Sequence, residues 1–308
     1  MKKTISVILI FSLLFYMLIA PTNAVEAASN GLILWYKTIL PTLLPFAILS
    51  NIFISSNIFY VFAVCFHPII RLFLPVSREG TFPVAAGFLF GFPMGSRICS
   101  SMLMEGKLSR QEASIVFIIS NNMSPMFICS YIMDQCLHLP QLVLPTLAIL
   151  YIPPLILGRI LLTFRKPQPL QWHKNTTPRF QLNFKIIDAA IMNGFEALVK
   201  LGGYIMLFSI IASMINLLPI SSQIFRSSCI GAIEITNGIQ SVSQTNMNLA
   251  TKYLLCVTFT AFGGFSGIAQ TSSMVSESHL PMKDYMIAKL VLCACSSILA
   301  IIVYDAII

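Results

Sequence analysis

Charge is what this sequence has least of. Among 308 residues only 19 are Lys or Arg and only 11 are Asp or Glu. A soluble domain carries about a quarter of its residues charged, so a water-covered globular enzyme is excluded. Disorder is excluded as well, because 56% of the residues are hydrophobic and disordered chains have low hydrophobicity. Metal-ligand and disulfide spacings are missing: the eight cysteines contain no CxxC, and His67, His138, His173 and His279 are dispersed. The cysteines therefore read as small packing residues. No GxxxxGK[ST] occurs, which excludes an ATP-binding loop. No Ser/His/Asp or Cys/His arrangement points to catalysis. The expectation is a protein that is not an enzyme and that uses no cofactor, no metal and no nucleic acid. The net charge of +8 fits the Lys/Arg bias of cytoplasmic loops in membrane proteins.

Long apolar runs are abundant. Mean hydropathy is +0.83, and the class that remains is an all-α polytopic protein of the cell membrane, with the lipid bilayer as its solvent. Apolar stretches run over 31–54, 61–76, 82–104, 113–133 and 142–164, then over 189–218, 224–242, 249–275 and 285–308. Lys2 and Lys3 precede a further run from Ile5 to Ala20. Thr22-Asn23-Ala24 and Val25-Glu26-Ala27 resemble signal-peptidase sites. A cleaved signal peptide and an uncleaved first helix both fit, and topology favours the helix. The interval Arg165 to Lys185 holds Arg165, Lys166, Lys174, Arg179 and Lys185 without an acidic residue, so it is expected in the cytoplasm, as is the loop with Lys107 and Arg110. If every segment crosses, both loops fall inside, but Arg71 and Arg78 fall outside. The short 61–76 stretch is then either a crossing or a re-entrant or interfacial piece.

Two internal matches suggest duplication. Phe90 to Leu108 and Phe262 to Leu280 share eight of 19 positions at an offset of 172: Phe90, Gly91, Gly95, Ser100, Ser101, Met102, Glu105 and Leu108 recur as Phe262, Gly263, Gly267, Ser272, Ser273, Met274, Glu277 and Leu280. Upstream, Asn30, Gly31, Lys37, Ile48 and Ser50 recur at an offset of 163 as Asn193, Gly194, Lys200, Ile211 and Ser213. The expected organisation is an N-terminal helix (1–26), one repeat (27–134), a connecting helix with the basic loop (135–188) and a second repeat (189–308). Under the all-crossing scheme the repeats are inverted, with broken or re-entrant helices, as in many secondary transporters. Small-residue helices can also resemble one another for packing reasons alone.

Gly- and Pro-broken polar stretches at membrane depth survive only where they are buried in protein or line a cavity. Gly91, Gly95, Ser96, Arg97 and Ser100 around Pro93 form one such stretch, and Gly264, Gly267, Gln270, Thr271 and Ser272 another. Asn121 and Asn122 lie in an apolar run beside Pro125 and are costly there unless paired. Glu234 is an intramembrane carboxylate followed by Thr236 and Asn237, and such a group is functional or paired. It reads either as a cation or proton site or as a buried ion pair, with Arg97 as the partner. Lys37 and Lys200 read as snorkelling to the interface. The polar set reads either as the lining for a small solute or coupling cation or as interhelical glue.

The ordered motifs Gly31-Leu32-Ile33-Leu34-Trp35, Leu40-Pro41-Thr42-Leu43-Leu44-Pro45-Phe46, Gly91 to Arg97, Asn121 to Pro125 with Phe127, Glu234 to Gly238 and Gly263 to Gly267 resemble the nucleoside-recognition (Gate) domain. Their order is similar to that of the sporulation integral membrane YlbJ family, related to spore maturation proteins A and B, over nearly the whole chain. The resemblance implies a plasma-membrane protein of an endospore-forming bacterium, needed for the spore cortex. It implies a gate domain shared with concentrative nucleoside transporters and ferrous-iron permeases. A homo-oligomer or other sporulation membrane proteins are the partners it suggests. Transport of a small polar solute or ion and a non-transporting scaffold are the two functions that follow.

Overall fold

Proline, glycine and short polar stretches cut the apolar sequence into helices whose breaks fall well inside the apolar runs. The computed structural model describes residues 2–167 and 180–308. The expected cytoplasmic charges Lys174 and Arg179, and His173, lie outside the described residues. Among those described there is no strand. The helices are α1 (Lys2–Ile19), α2 (Pro21–Leu34), α3 (Leu40–Ser55), α4 (Phe59–Phe73), α5 (Arg78–Leu89), α6 (Met94–Met104), α7 (Arg110–Ile119), α8 (Val143–Arg165), α9 (Phe184–Met214), α10 (Gln223–Ile233), α11 (Ile235–Ser243), α12 (Leu249–Phe262), α13 (Gly264–Met274) and α14 (Met282–Ile307). Two π-helical stretches, Trp35–Ile39 and Phe127–Cys136, join them.

Five stretches are long and apolar enough to cross a membrane: Pro21–Ser55, Pro140–Arg165, Phe184–Leu217, Leu249–Met274 and Met282–Ile307. Their outward faces keep Leu144, Phe164 and Val199 exposed, which is the polarity expected of a lipid-facing surface. The protein is therefore a multi-pass membrane protein.

The other segments do not simply cross. Residues 82–104 fold as a hairpin, because α5 and α6 pack side by side. Gly95 is so close to Gly87 that a Cβ added to it would lie 2.9 Å from the Gly87 Cα. Residues 224–242 do the same: a Cβ on Gly238 would collide with the Gly231 Cα. Small residues are what permit such close backbones. Helix α4 meets α5 at 79°, so 61–76 turns sharply rather than continuing into the next segment.

Contacts between loops show which ends lie together. Lys107 Nζ donates to Ile54 O (2.5 Å), and Arg110 Nη2 to His279 O (2.8 Å). Arg159 Nη1 reaches Leu72 O (2.9 Å), and Arg165 pairs with Asp284 (3.7 Å). One end of the molecule thus gathers the tail of α3, the α4–α5 corner, the α6–α7 loop, the tail of α8 and the α13–α14 loop. Thr146 and Tyr253, whose hydroxyls are 2.9 Å apart, mark the opposite end. Arg71 and Arg78 therefore share an end with Lys107, Arg110 and Arg165. The all-crossing scheme put them on opposite sides, and the structure corrects it: the α5/α6 hairpin returns to the end it left.

The two matches differ in what they pair. The offset of 163 joins the long helices α2–α3 and α9, which pack along each other. Trp35 Nε1 donates to Leu198 O (2.7 Å), and Asn51 Nδ2 to Ala190 O (3.4 Å), so the pair is antiparallel. The offset of 172 joins α6 to α13. Phe92 meets Gly267, and Ser100 Oγ donates to Ser278 Oγ (2.8 Å), so these neighbours are parallel. Parallel helices cannot be equivalents in inverted halves, so this match does not pair the same element of two inverted units. Glu105 and Glu277, which supported the duplication, lie exposed in loops.

Candidate functional site

Four breaks converge on one cavity of about 300 Å3. The tip of the α5/α6 hairpin contributes Phe92 and Pro93. The irregular stretch after α7 contributes Met123 and Ser124. The tip of the α10/α11 hairpin contributes Glu234 and Thr236, and the α12–α13 break contributes Gly263 and Gly267. The breaks are built from local chemistry. Gly91 at φ 79° and Gly263 at φ 84° occupy the left-handed region, which glycine reaches without a steric penalty. Gly91 also needs its missing side chain, since a Cβ there would sit 2.5 Å from the Ser124 amide nitrogen. The Phe92 N–H donates to Asn122 O (2.5 Å), tying one hairpin tip to the next break.

Glu234 is 3% exposed and lies at the cavity wall. It is the N-cap of α11. Its Oε2 accepts from the Thr236 hydroxyl, from Asn237 N (2.8 Å) and from Asn237 Nδ2 (2.9 Å). These donors and the positive helix end favour a carboxylate here. Arg97 does not pair with Glu234, contrary to expectation. Its Nη2 donates to Asn193 O (2.7 Å) on α9, because α6 turns that side chain toward the long helix.

Gln270 lines the cavity with its Nε2 on Ser266 Oγ (2.8 Å) and its Oε1 unpartnered. Asn121 stands one layer behind, 1% exposed; its Nδ2 reaches Thr271 Oγ1 (2.8 Å) and Tyr285 OH (2.7 Å), and its Oδ1 is left without a donor. Thus Glu234, Thr236, Gly267 and Gln270 face the cavity, while Gly91, Asn121, Asn237 and Thr271 support it. Gly95 packs on the Ser120 carbonyl, and Ser96 is buried with an unpartnered Oγ. Gly264 lies under the carbonyl of Ile233, 3.2 Å from its own projected Cβ. Ser100 bonds across to Ser278, and Asn122 caps Ile119 O (2.7 Å). Gly95, Ser96, Ser100, Asn122 and Gly264 do not line the cavity. Neither does Ser272, which is exposed; in this parallel pair of helices its side of α13 faces outward.

The sequence reading missed Lys37, Thr38, Ser130, Tyr131 and Gln135, all on the cavity wall. Lys37 lies in the π-helical stretch Trp35–Ile39. Such a widened turn is frequent at functional sites, and it brings to the cavity a residue whose position in an apolar run suggested the interface. Tyr131 OH reaches Thr236 O at 3.5 Å. A second, wider cavity of about 660 Å3 is lined by Asn30, Ser213, Asn216, Gln240 and Gln244. Asn237 lines this second cavity, where its Nδ2 donates to Ser209 Oγ (2.9 Å), and it is tied to the first through its bonds to Glu234.

Comparison with known proteins gives one curated relative. The chain is similar to the sporulation integral membrane protein YlbJ of Bacillus subtilis (strain 168), with 26% identity across 88% of this chain and 75% of the relative. No family model matches the chain, and no solved structure matches it.

Proposed function

We propose, from this kinship with a sporulation integral membrane protein, that the chain is a sporulation-associated, transporter-like membrane protein that moves a small polar solute or ion and is needed to form the spore cortex. The observation that carries the reading is the convergence of both hairpin tips and both helix breaks on one cavity around Glu234. Freed backbone groups and a few polar side chains at a cavity inside an apolar bundle are what a solute needs to replace its hydration.

The element order supports two inverted units. A long helix, a hairpin, a broken path and a second long helix occur twice: α2–α3, α5/α6, α7 with Phe127–Cys136, and α8; then α9, α10/α11, α12–α13 and α14. Each unit makes three passes between the ends, so the second begins on the side opposite the first. The antiparallel α2–α3 and α9 agree with this. The units then run over 21–165 and 184–307, with Pro140–Arg165 belonging to the first rather than to a connector. The end rich in Arg71, Arg78, Lys107 and Arg110 is the cytoplasmic one. Glu234 takes the coupling cation or proton, and Gln270, Ser266 and Thr236 hold the solute. Rocking of one unit against the other changes access. No catalytic step is assigned.

A scaffold for spore-envelope assembly is the second reading. It is favoured by the mutual hydrogen bonds of Asn121, Thr271 and Tyr285, which serve as helix glue without a ligand. Glu234→Gln separates the two. Transport predicts normal membrane levels with loss of spore cortex. Normal cortex at normal levels would leave the scaffold reading standing and the transport reading defeated.

A further inference from the structure

Lys289 is a buried charged group that lines neither of the two larger cavities. It projects from the N-terminal third of α14, is 4% exposed, and belongs to none of the ion pairs among the described residues. Its Nζ has one polar partner, Ala261 O at 3.5 Å, and stands 5.9 Å from the centre of the Tyr285 ring. Ala261 lies in the last turn of α12, one residue before the helix ends at Phe262. The carbonyls of a final turn lack intrahelical donors and carry the negative end of the helix dipole. Here that end is held inside the protein by the Gly263 break.

We propose that Lys289 is a built-in cation: its ammonium occupies the position at the negative end of α12 that a small bound cation would otherwise take. The chamber around it, between Asn122, Thr260, Ala261 and Ser296, is only about 10 Å3. That is room for about one water and excludes a hydrated ion beside the ammonium. Around the ammonium and its chamber lie Tyr285, Cys293 and Ser296 on its own helix, Thr260 and the Ala261 carbonyl on α12, Asn122 from the break after α7, and apolar Leu150 and Pro154 on α8. No carboxylate is among them, so carbonyl dipoles and ring electrons compensate the charge. The inference concerns how the centre is held together and stands apart from the transport reading. It does place any coupling cation at Glu234 and none at the α12 terminus.

The test is thermal unfolding of the purified full chain in detergent, at constant ionic strength in NaCl, KCl or choline chloride. The wild type is expected to melt at the same temperature in all three, apart from any sodium effect abolished by Glu234→Gln. Lys289→Met should lower the melting temperature. Lys289→Ala should lower it too and regain at least half of the loss in methylammonium chloride, with no such gain in choline. Lys289→Met melting with the wild type would overturn the proposal, and so would Lys289→Ala showing no preference for methylammonium. If neither variant folds, the wild type still decides. A saturable sodium stabilisation that survives Glu234→Gln would put a metal ion where the lysine is proposed to act.

Discussion

Gly31 and Gly194 occupy reciprocal places in the antiparallel pair of long helices. A Cβ on Gly31 would lie 2.8 Å from Ser209 Oγ, and one on Gly194 would lie 3.0 Å from Ile48 Cγ1. Each glycine sits in the first half of its own helix and receives the second half of the other. Trp35 fills the groove between them, stacked onto Gly202. This is the one place where a repeat seen in the sequence and a near two-fold arrangement in space coincide.

Gly31→Leu and Gly194→Leu should therefore each destabilise the protein, by about 1–3 kcal/mol for overpacking a close contact. Gly203→Leu is the control, because a Cβ there meets nothing within 4 Å. Thermal unfolding in detergent measures all three. Equal melting temperatures across the set would mean that the long helices are not held by this seam.

The class of the protein was legible from composition alone, because scarcity of charge leaves no other way to cover the surface. The breaks were also legible: Pro93, the Asn121–Asn122 pair, Glu234 and Gly263 each place backbone or polar groups where hydrocarbon would penalise them; Pro93, Glu234 and Gly263 line the cavity, and the break that carries the asparagines reaches it through Met123 and Ser124. What the sequence concealed was whether a broken run turns back or goes on. Gly87 with Gly95 and Gly231 with Gly238 make hairpins, yet Gly263 interrupts a path that continues as Leu249–Met274. A glycine permits either outcome, and the choice is made by the neighbour it packs on. Lys37 was hidden for another reason: a π-helical turn shifts which side chains face inward, and no residue type announces one.

The hairpins yield a sharp steric prediction. Gly95→Val would drive a side chain into the Ser120 carbonyl, and Gly238→Val would drive one into the Gly231 backbone. Backbone cannot swing aside as a flexible side chain can, so both variants should fall well below wild-type membrane levels, measured by quantitative immunoblot. Gly106→Ala, in a loop with nothing within 4 Å of its Cβ position but at φ 66°, should cost about 1 kcal/mol of backbone strain and keep its level. Normal accumulation of Gly238→Val would contradict the close crossing of α10 and α11.

Glu234 has a structural duty that can be separated from any functional one. Glu234→Gln keeps an oxygen acceptor for the Asn237 N–H, so folding should be close to wild type. Glu234→Leu removes the acceptor for the Thr236 hydroxyl and for both Asn237 donors. Leaving buried donors unsatisfied costs about 1–3 kcal/mol, and the melting temperature should drop accordingly. If Leu and Gln melt together, Glu234 is not what caps α11 in the membrane.

Sidedness is the remaining prediction, and it follows from the hairpins rather than from the charges. In a background with the exposed Cys65 and Cys295 changed to Ser, single cysteines at Arg71, Arg78 and Glu105 should react with an impermeant thiol reagent from one face of the membrane. Cysteines at Gln223 and Asn246, at the base of the α10/α11 hairpin, should react from the other. The pair Arg78 and Glu105 decides most, since they flank the α5/α6 hairpin. If residues 82–104 cross the bilayer, these two sites label from opposite faces. If the hairpin re-enters, they label together, and the charge of Arg71 and Arg78 then joins that of Lys107 and Arg110 on the cytoplasmic face, as the Lys/Arg bias of inner loops demands.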